Sequence, residues 1–221
     1  MNRLYIFISW LITISIPFLL IMTAIRLLIN PALLKFEYNS PNFPPDPYGF
    51  NTADRLKWGT LSVDYLLNNS DISFLADVKF SDGTPIYNER ELSHMHDVKV
   101  LIQHATTIWY IVIAALLALG LWSWLGHWMG IFWQGISRGG WLTIALIAII
   151  LVFVFTSFDS LFTDFHRIFF SGNTWIFLYS DTLIRLFPLP FWQNAFTFMG
   201  AITVIGALLF GYGGHKLAAH F

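Results

Sequence analysis

The stretch NERELSHMHDVKVLI, residues Asn88–Ile102, is polar, carries two of the chain's seven histidines, and runs straight into an apolar segment. Asn88 has the character of a helix N-cap, with Glu91 three residues on as its capping-box partner. A helix that starts here need not stop before the apolar segment. One long helix is expected from about Glu89 to Trp128, with its first four turns outside the hydrocarbon of a membrane.

Composition supports a membrane. Only 11% of the 221 residues are charged and 56% are hydrophobic, whereas a soluble domain has about 25% charged residues. The net charge of −1 gives no attraction to nucleic acid. The chain has no cysteine, which excludes thiolate catalysis, thiolate zinc sites and disulfides. Four stretches approach the ~20 apolar residues a spanning helix needs: Leu4–Ile25, Ile108–Met129, Trp141–Leu161 and Phe191–Phe210. The first is too long for a signal-peptide core and has no small-residue cleavage pattern after it, so it reads as a retained span. Trp122, Trp124, Trp128 and Trp133 suggest an interfacial belt after the second. The expected fold is therefore an all-α integral membrane protein. Residues 1–221 form a single membrane domain of four transmembrane helices with one large, partly helical extracytoplasmic loop.

The connections differ in size and charge. A loop of about 75 residues runs from Asn30 to His104, a short link surrounds Gly130–Gly140, and a second long segment covers Phe158–Pro190. All 13 acidic residues fall in the two long connections. The opposite side has Arg3, Arg138 and Lys216 with His127, His215 and His220. Short loops biased to Lys and Arg are cytoplasmic, so both termini are expected inside and both long segments outside. The large loop opens with a Pro-rich piece, Ser40–Phe50. Thr52–Asn68 follows as an amphipathic helix with Leu56, Thr60, Val63 and Leu67 on one face. Ile72–Phe80 fits a strand or a short helix, and Asp82-Gly83 before Pro85 is a turn.

Polar residues able to do chemistry gather in the two outer segments. On a helix, His94 and Asp97 share a face. Asp97 is expected to accept a hydrogen bond from His94, fixing its tautomer and raising its basicity. His96 lies about 200° around the helix from His94 and faces elsewhere. His166, flanked by Asp164 and Arg167, follows the third span. Trp175 returns towards the headgroups, and Asp181 and Arg185, four apart, are able to pair. Arg26 at the outer end of the first span is a candidate for a lipid phosphate or carbonyl, and Tyr48 for a headgroup contact.

Three segments carry a family likeness. ELSHMHDVKVL at Glu91–Leu101, FHRIFFSGNTWIF at Phe165–Phe177 and LIRLFPLPFW at Leu183–Trp192 together resemble the bacterial lipoprotein intramolecular transacylases. Those are small four-span membrane proteins with one large extracytoplasmic loop. The resemblance implies an acyltransferase of the bacterial cytoplasmic membrane that needs no cofactor or metal. Its partner is a diacylated lipoprotein together with membrane lipid, and its active site lies at the outer leaflet. The implied reaction moves the sn-2 acyl chain of an S-diacylglyceryl cysteine to the cysteine α-amine, giving an N-acyl lyso-form. A base must relieve the amine, whose pKa is about 8, of a proton, and imidazole is suited to this. The expected catalytic set is His94 as base, Asp97 as its support, and His166 as oxyanion donor or acid, the histidine roles being exchangeable. Arg26, Tyr48, Arg167 and Trp175 are the expected substrate contacts.

Other readings compete. A metal-dependent membrane hydrolase would use His94, His96, His104 and His166, although helical metal pairs are usually four apart and His94 and His96 are two apart. A non-enzymatic scaffold or lipid-binding protein would tolerate loss of His94 and His166. A b-type haem protein would need histidines facing each other across spans, and the seven here lie mostly at or beyond span ends.

Overall fold

A computed structural model describes residues 3–221. Among them are nine helices and one isolated antiparallel bridge, Lys79 to Pro85. The helices are α1 (Arg3–Leu28), α2 (Pro31–Tyr38), α3 (Thr52–Leu67), α4 (Ser73–Ala76), α5 (Glu89–Leu125), α6 (Met129–Thr156), α7 (Phe158–Phe169), α8 (Thr182–Leu186) and α9 (Leu189–Ala218). Four of them, α1, α5, α6 and α9, are long and apolar enough to cross a membrane. The chain is an all-helical membrane protein, as its composition requires. The bridge and the single turn of α4 resolve the strand-or-helix ambiguity of Ile72–Phe80.

The residues group into two compact units. The first holds α1 up to Leu27, Ala105–Thr156 and Phe196–Phe221. Its core is Ile8, Ile12, Ile16, Leu19, Leu20, Trp128, Phe132, Ile136 and Ala207. Small residues bring the helices close. A Cβ on Gly140 would lie 2.5 Å from the Gly211 nitrogen, and one on Gly139 would lie 2.5 Å from the Ile16 Cβ. Hydroxyls join the helices where backbones touch: Ser9 Oγ donates to the Ile131 carbonyl at 2.8 Å, and Ser137 Oγ to the Gly211 carbonyl at 2.8 Å. The span part of α5 buries little, and Ile108, Ile111, Leu117, Leu121 and Leu125 point outward. An apolar face of this length suits hydrocarbon rather than water.

Three expectations are corrected in this unit. The link around Gly130–Gly140 is helical, so α6 starts at Met129 and the connection shrinks to three residues, 126–128. Glycines within that stretch are the sites of closest helix approach. The turn is a Schellman closure: Trp128 N–H donates to the Ser123 carbonyl at 2.9 Å, and His127 has φ +58°. Trp128 does not belong to an exposed belt either. It is 4% exposed and stacks on Tyr5 at 4.9 Å between ring centroids. At its other end α6 stops at Thr156, five residues short of the expected Leu161, and Ser157 separates it from α7.

The second unit holds Leu28–His104 and Ser157–Ala195. Its main core joins Trp58, Tyr65, Leu75, Ile86, Tyr87, Met95, Leu183 and Leu186. A smaller cluster of Leu34, Tyr38, Val63 and Phe191 lies beside α2. Asn51 and Asp54 form a full capping box at the start of α3, as their spacing allows. The buried face of α3 differs from the expected one. Val63 is buried as expected, but Arg55, Trp58, Ser62 and Tyr65 are inside too, while Leu67 is 40% exposed. The unit packs aromatic rings and bonded polar groups rather than an aliphatic stripe: Ser62 Oγ lies 2.9 Å from Tyr87 Oη, and Arg55 donates to the Pro44 carbonyl at 2.7 Å. Asp181 and Arg185 do not pair with each other. Arg185 bonds Asp46 at 2.9 Å and Asp181 bonds Arg90 at 3.0 Å.

Candidate active site

The site is built from the polar start of α5, from α7 and from the non-helical chain after α7, all within the second unit. The capping box at the head of α5 is complete. Asn88 N–H donates to Glu91 Oε2 at 2.8 Å, and Glu91 N–H donates to Asn88 Oδ1 at 3.0 Å. Glu91 then does more than a cap requires. It is 1% exposed, and its other oxygen accepts the Leu183 N–H at 2.7 Å. One carboxylate therefore ties α5 to α8. Asp181 adds a second tie by accepting from Asn88, Arg90 and the Leu178 N–H at 3.1, 3.0 and 2.8 Å. The segment that returns from α7 is thereby anchored beside the first turn of α5.

On the next turn His94 points inward and is 7% exposed, while His96 is exposed. α7 is amphipathic, and Phe158 and His166 are its buried residues. The two imidazoles meet at 5.7 Å between centroids with 27° between planes. Phe170 and Phe177 stand edge-on to His94 at 4.9 and 5.4 Å, and Phe162 and Trp175 flank His166 at 4.2 and 5.1 Å. Gly172, at φ +72°, turns the chain between Phe170 and Trp175.

The surroundings fix one tautomer. His166 Nδ1 lies 2.7 Å from the Phe162 carbonyl. A carbonyl only accepts, so Nδ1 carries the proton and Nε2 has the free lone pair. His94 Nδ1 is buried and has no hydrogen-bond partner. Burial pushes the His94 imidazole down to about 4, and the neighbouring His166 adds to the effect. His94 lies in the polar turns of α5, ahead of the apolar stretch. Burial also lowers His166, against the opposing pull of the Phe162 carbonyl. Burial thus favours the neutral form of both rings, which a proton acceptor and a neutral N–H donor each require.

The other sequence-derived candidates divide. Trp175 is in the cluster, and its indole nitrogen is buried without a partner. Asp97 makes no bond to His94, which corrects the expected His–Asp pair. Its Oδ2 lies 3.5 Å from Thr174 Oγ1, at the outer limit of a hydrogen bond. Arg167 points away from the rings and makes an exposed 3.7 Å ion pair with Asp164. Tyr48 is exposed on the Pro-rich segment, 5.8 Å below the Arg185 guanidinium. Arg26 belongs to the first unit. Among the described residues no three His, Asp or Glu side chains group as a metal site. Two features were missed from sequence: the second bond of Glu91, and the aromatic walls Phe162, Phe170 and Phe177. The capping-box spacing flagged Glu91 but could not reveal its partner on α8.

The family model for the lipoprotein intramolecular transacylase Lit matches residues 10–192. The chain belongs to the lipoprotein intramolecular transacylase family. The matched range contains His94, Asp97, His166 and Trp175. Membership makes this chain one of a family of lipoprotein-modifying acyltransferases. An uncharacterized protein of Aquifex aeolicus is 26% identical over 202 residues, covering 91% of this chain and 90% of its own. The solved structure of the membrane-integral transacylase Lit from Bacillus cereus matches with a TM-score of 0.70 at 19% identity, over 100% of this chain and 98% of that one. Two variants of that protein, with one histidine changed to arginine or to alanine, match over 99% of this chain at a TM-score of 0.62. These structural likenesses concern the fold.

Proposed function

We propose that the chain carries out the intramolecular O-to-N acyl shift on diacylated lipoproteins, with His166 as general base and His94 as oxyanion donor. The observation that supports this most is the pair of buried imidazoles 5.7 Å apart, one of them holding its Nδ1 on the Phe162 carbonyl. This assignment reverses the roles first expected for the two histidines. The bond from His166 Nδ1 to the Phe162 carbonyl orients that ring and supports its basicity. His94 lacks such a partner.

The substrate cysteine amine attacks the sn-2 ester carbonyl carbon of its own diacylglyceryl group. A carbon–nitrogen bond forms, and the carbonyl oxygen becomes an oxyanion near the His94 N–H. His166 Nε2 takes the proton released by nitrogen. When the tetrahedral centre collapses, the bond from carbon to the glycerol oxygen breaks, and protonated His166 returns its proton to that oxygen. The products are an amide on cysteine and a free sn-2 hydroxyl, with no net uptake of protons. Nucleophile and ester share one molecule, so positioning supplies much of the rate. Base catalysis adds a further factor of about 10² to 10⁴. Asp97 acts as a positioning residue by holding Thr174 and the chain that carries Trp175.

The site lies at the outer leaflet of a bacterial cytoplasmic membrane, with both termini inside. The basic residues Arg3 and Lys216 near the two termini support this orientation. α7, which exposes Ile168 and Phe169 as an interfacial helix does, supports a site at headgroup depth. The test is mass spectrometry of a lipoprotein N-terminal peptide from cells with and without the protein. The N-acylated lyso-form appears only with it. His94→Gln and His166→Gln abolish that product, and His96→Gln leaves it unchanged. An unmodified peptide from cells containing the wild-type protein contradicts the proposal.

A further inference from the structure

Trp175 holds a donor that the fold leaves unused. The indole Nε1–H can only donate, and here it is buried without a partner. Enclosing an amide-like donor without a bond costs about 1–3 kcal/mol. Orphan indoles occur elsewhere, at Trp128 and Trp133 in the first unit. Trp109 in that unit satisfies its own nitrogen on Thr23 Oγ1 at 3.1 Å. Trp175 differs from Trp128 and Trp133 in its neighbours. Its ring lies 5.1 Å from His166, and the same cluster contains the second unpartnered nitrogen, His94 Nδ1. Two orphan nitrogens and one free lone pair therefore share one aromatic-walled cluster.

The backbone that carries Trp175 is held from both sides. Upstream, Gly172 sets the turn. Downstream, Asp181 and Glu91 fix residues 178–183 to the head of α5. Thr174 reaches Asp97 at 3.5 Å. This anchoring sets the donor in place before any substrate arrives, which is the condition for electrostatic stabilisation of a transition state.

We infer that Trp175 is a catalytic residue whose indole N–H hydrogen-bonds the ester carbonyl oxygen and strengthens that bond as the oxyanion develops. With His94 it makes a two-donor oxyanion hole for an acyl ester. The inference rests on the acyl-shift reading above. It assigns the ring a role beyond packing, because the apolar faces of a Phe would pack as well.

The test uses the full-length protein in detergent micelles and a synthetic lipopeptide with an N-terminal S-diacylglyceryl cysteine. Trp175→Phe keeps an aromatic ring and removes the donor. It should lower kcat about 10²-fold, the usual effect of losing one oxyanion donor, with KM within about threefold of wild type and an unchanged melting temperature. Incorporating benzothienylalanine at position 175 keeps the bicyclic shape and puts sulfur where the N–H was. It should show the same loss of kcat, and it decides the question if the Phe variant fails to fold. Wild-type kcat in the benzothienyl protein would overturn the role of Trp175 and leave the acyl shift standing. No N-acyl product from the wild-type protein would overturn both.

Discussion

At the scale of single residues, one backbone carbonyl decides the chemistry. The Phe162 oxygen selects the Nδ1–H tautomer of His166 and leaves Nε2 as the acceptor. The sequence placed His94 and His166 in outer segments but could not show that carbonyl, and it favoured Asp97 as the partner of His94. Spacing of three on a helix makes such a bond reachable without requiring it. Thr174, 77 positions away along the chain, takes Asp97 instead. A pH dependence follows. Burial holds both imidazoles below the ordinary value of about 6.5. The enzyme's contribution to the acid limb of kcat/KM should therefore lie below pH 6.5, and a second limb, from the substrate amine losing its proton, should keep the rate rising towards pH 8. A steady-state pH profile on a lipopeptide checks this. Stability follows the same sign. The unfolded state binds protons near 6.5 and folded His94 only near 4, so folding stability falls as pH drops through that interval. Thermal melts at pH 7.5 and 5.0 should show the lower midpoint in acid. Glu91 gives a further prediction. Glu91→Ala strands the N–H groups of Asn88 and Leu183 and should cost about 3 kcal/mol of stability, read as a lowered melting temperature together with lost activity.

At the scale of elements, local signals were legible and their tertiary partners were not. The capping boxes at Asn51 and Asn88 and the continuous helix from Glu89 follow from short spacings. The inner face of α3 does not, because it buries Arg55 against Pro44 and Phe43 and turns Leu67 outward. A hydrophobic count cannot anticipate a buried guanidinium whose bonds come from a Pro-rich loop. Arg185 behaves likewise. It ignores Asp181 four residues away, stacks 3.4 Å over Phe50, and donates twice to Asp46. Burial would raise the Asp46 carboxyl, but the Arg185 hydrogen bond and the Phe50 N–H outweigh it and hold the group below the usual range. Asp46→Asn should therefore lower the melting temperature, at a cost of about 2 kcal/mol for lost charged hydrogen bonds, and should free the Pro-rich segment for limited proteolysis. Arg185→Lys should recover only part of this, because an ammonium lacks the planar fork and the stacking face.

At the scale of the whole molecule, four long apolar stretches and two long polar connections were readable from the hydropathy pattern. The close contacts of the first half of α6 were not, since Gly135, Gly139 and Gly140 fall in what reads as a short link until their neighbours are seen. Gly140→Leu would force side-chain atoms into the Gly211 and Ala207 backbone. It should reduce the yield of monodisperse protein in detergent, measured by size-exclusion chromatography, while Gly213→Leu, which meets nothing within 4 Å, should not. The proposed active site lies in the second unit, where α5 and α7 bring one histidine each to one aromatic cluster. The most direct test of that assignment is the lipid state of a lipoprotein N-terminal peptide, read by mass spectrometry after incubation with wild-type, His94→Gln or His166→Gln protein. The account predicts one acyl chain moved from glycerol to nitrogen with the wild type and none with either variant. An N-acyl product of wild-type amount from the His166→Gln protein would contradict it.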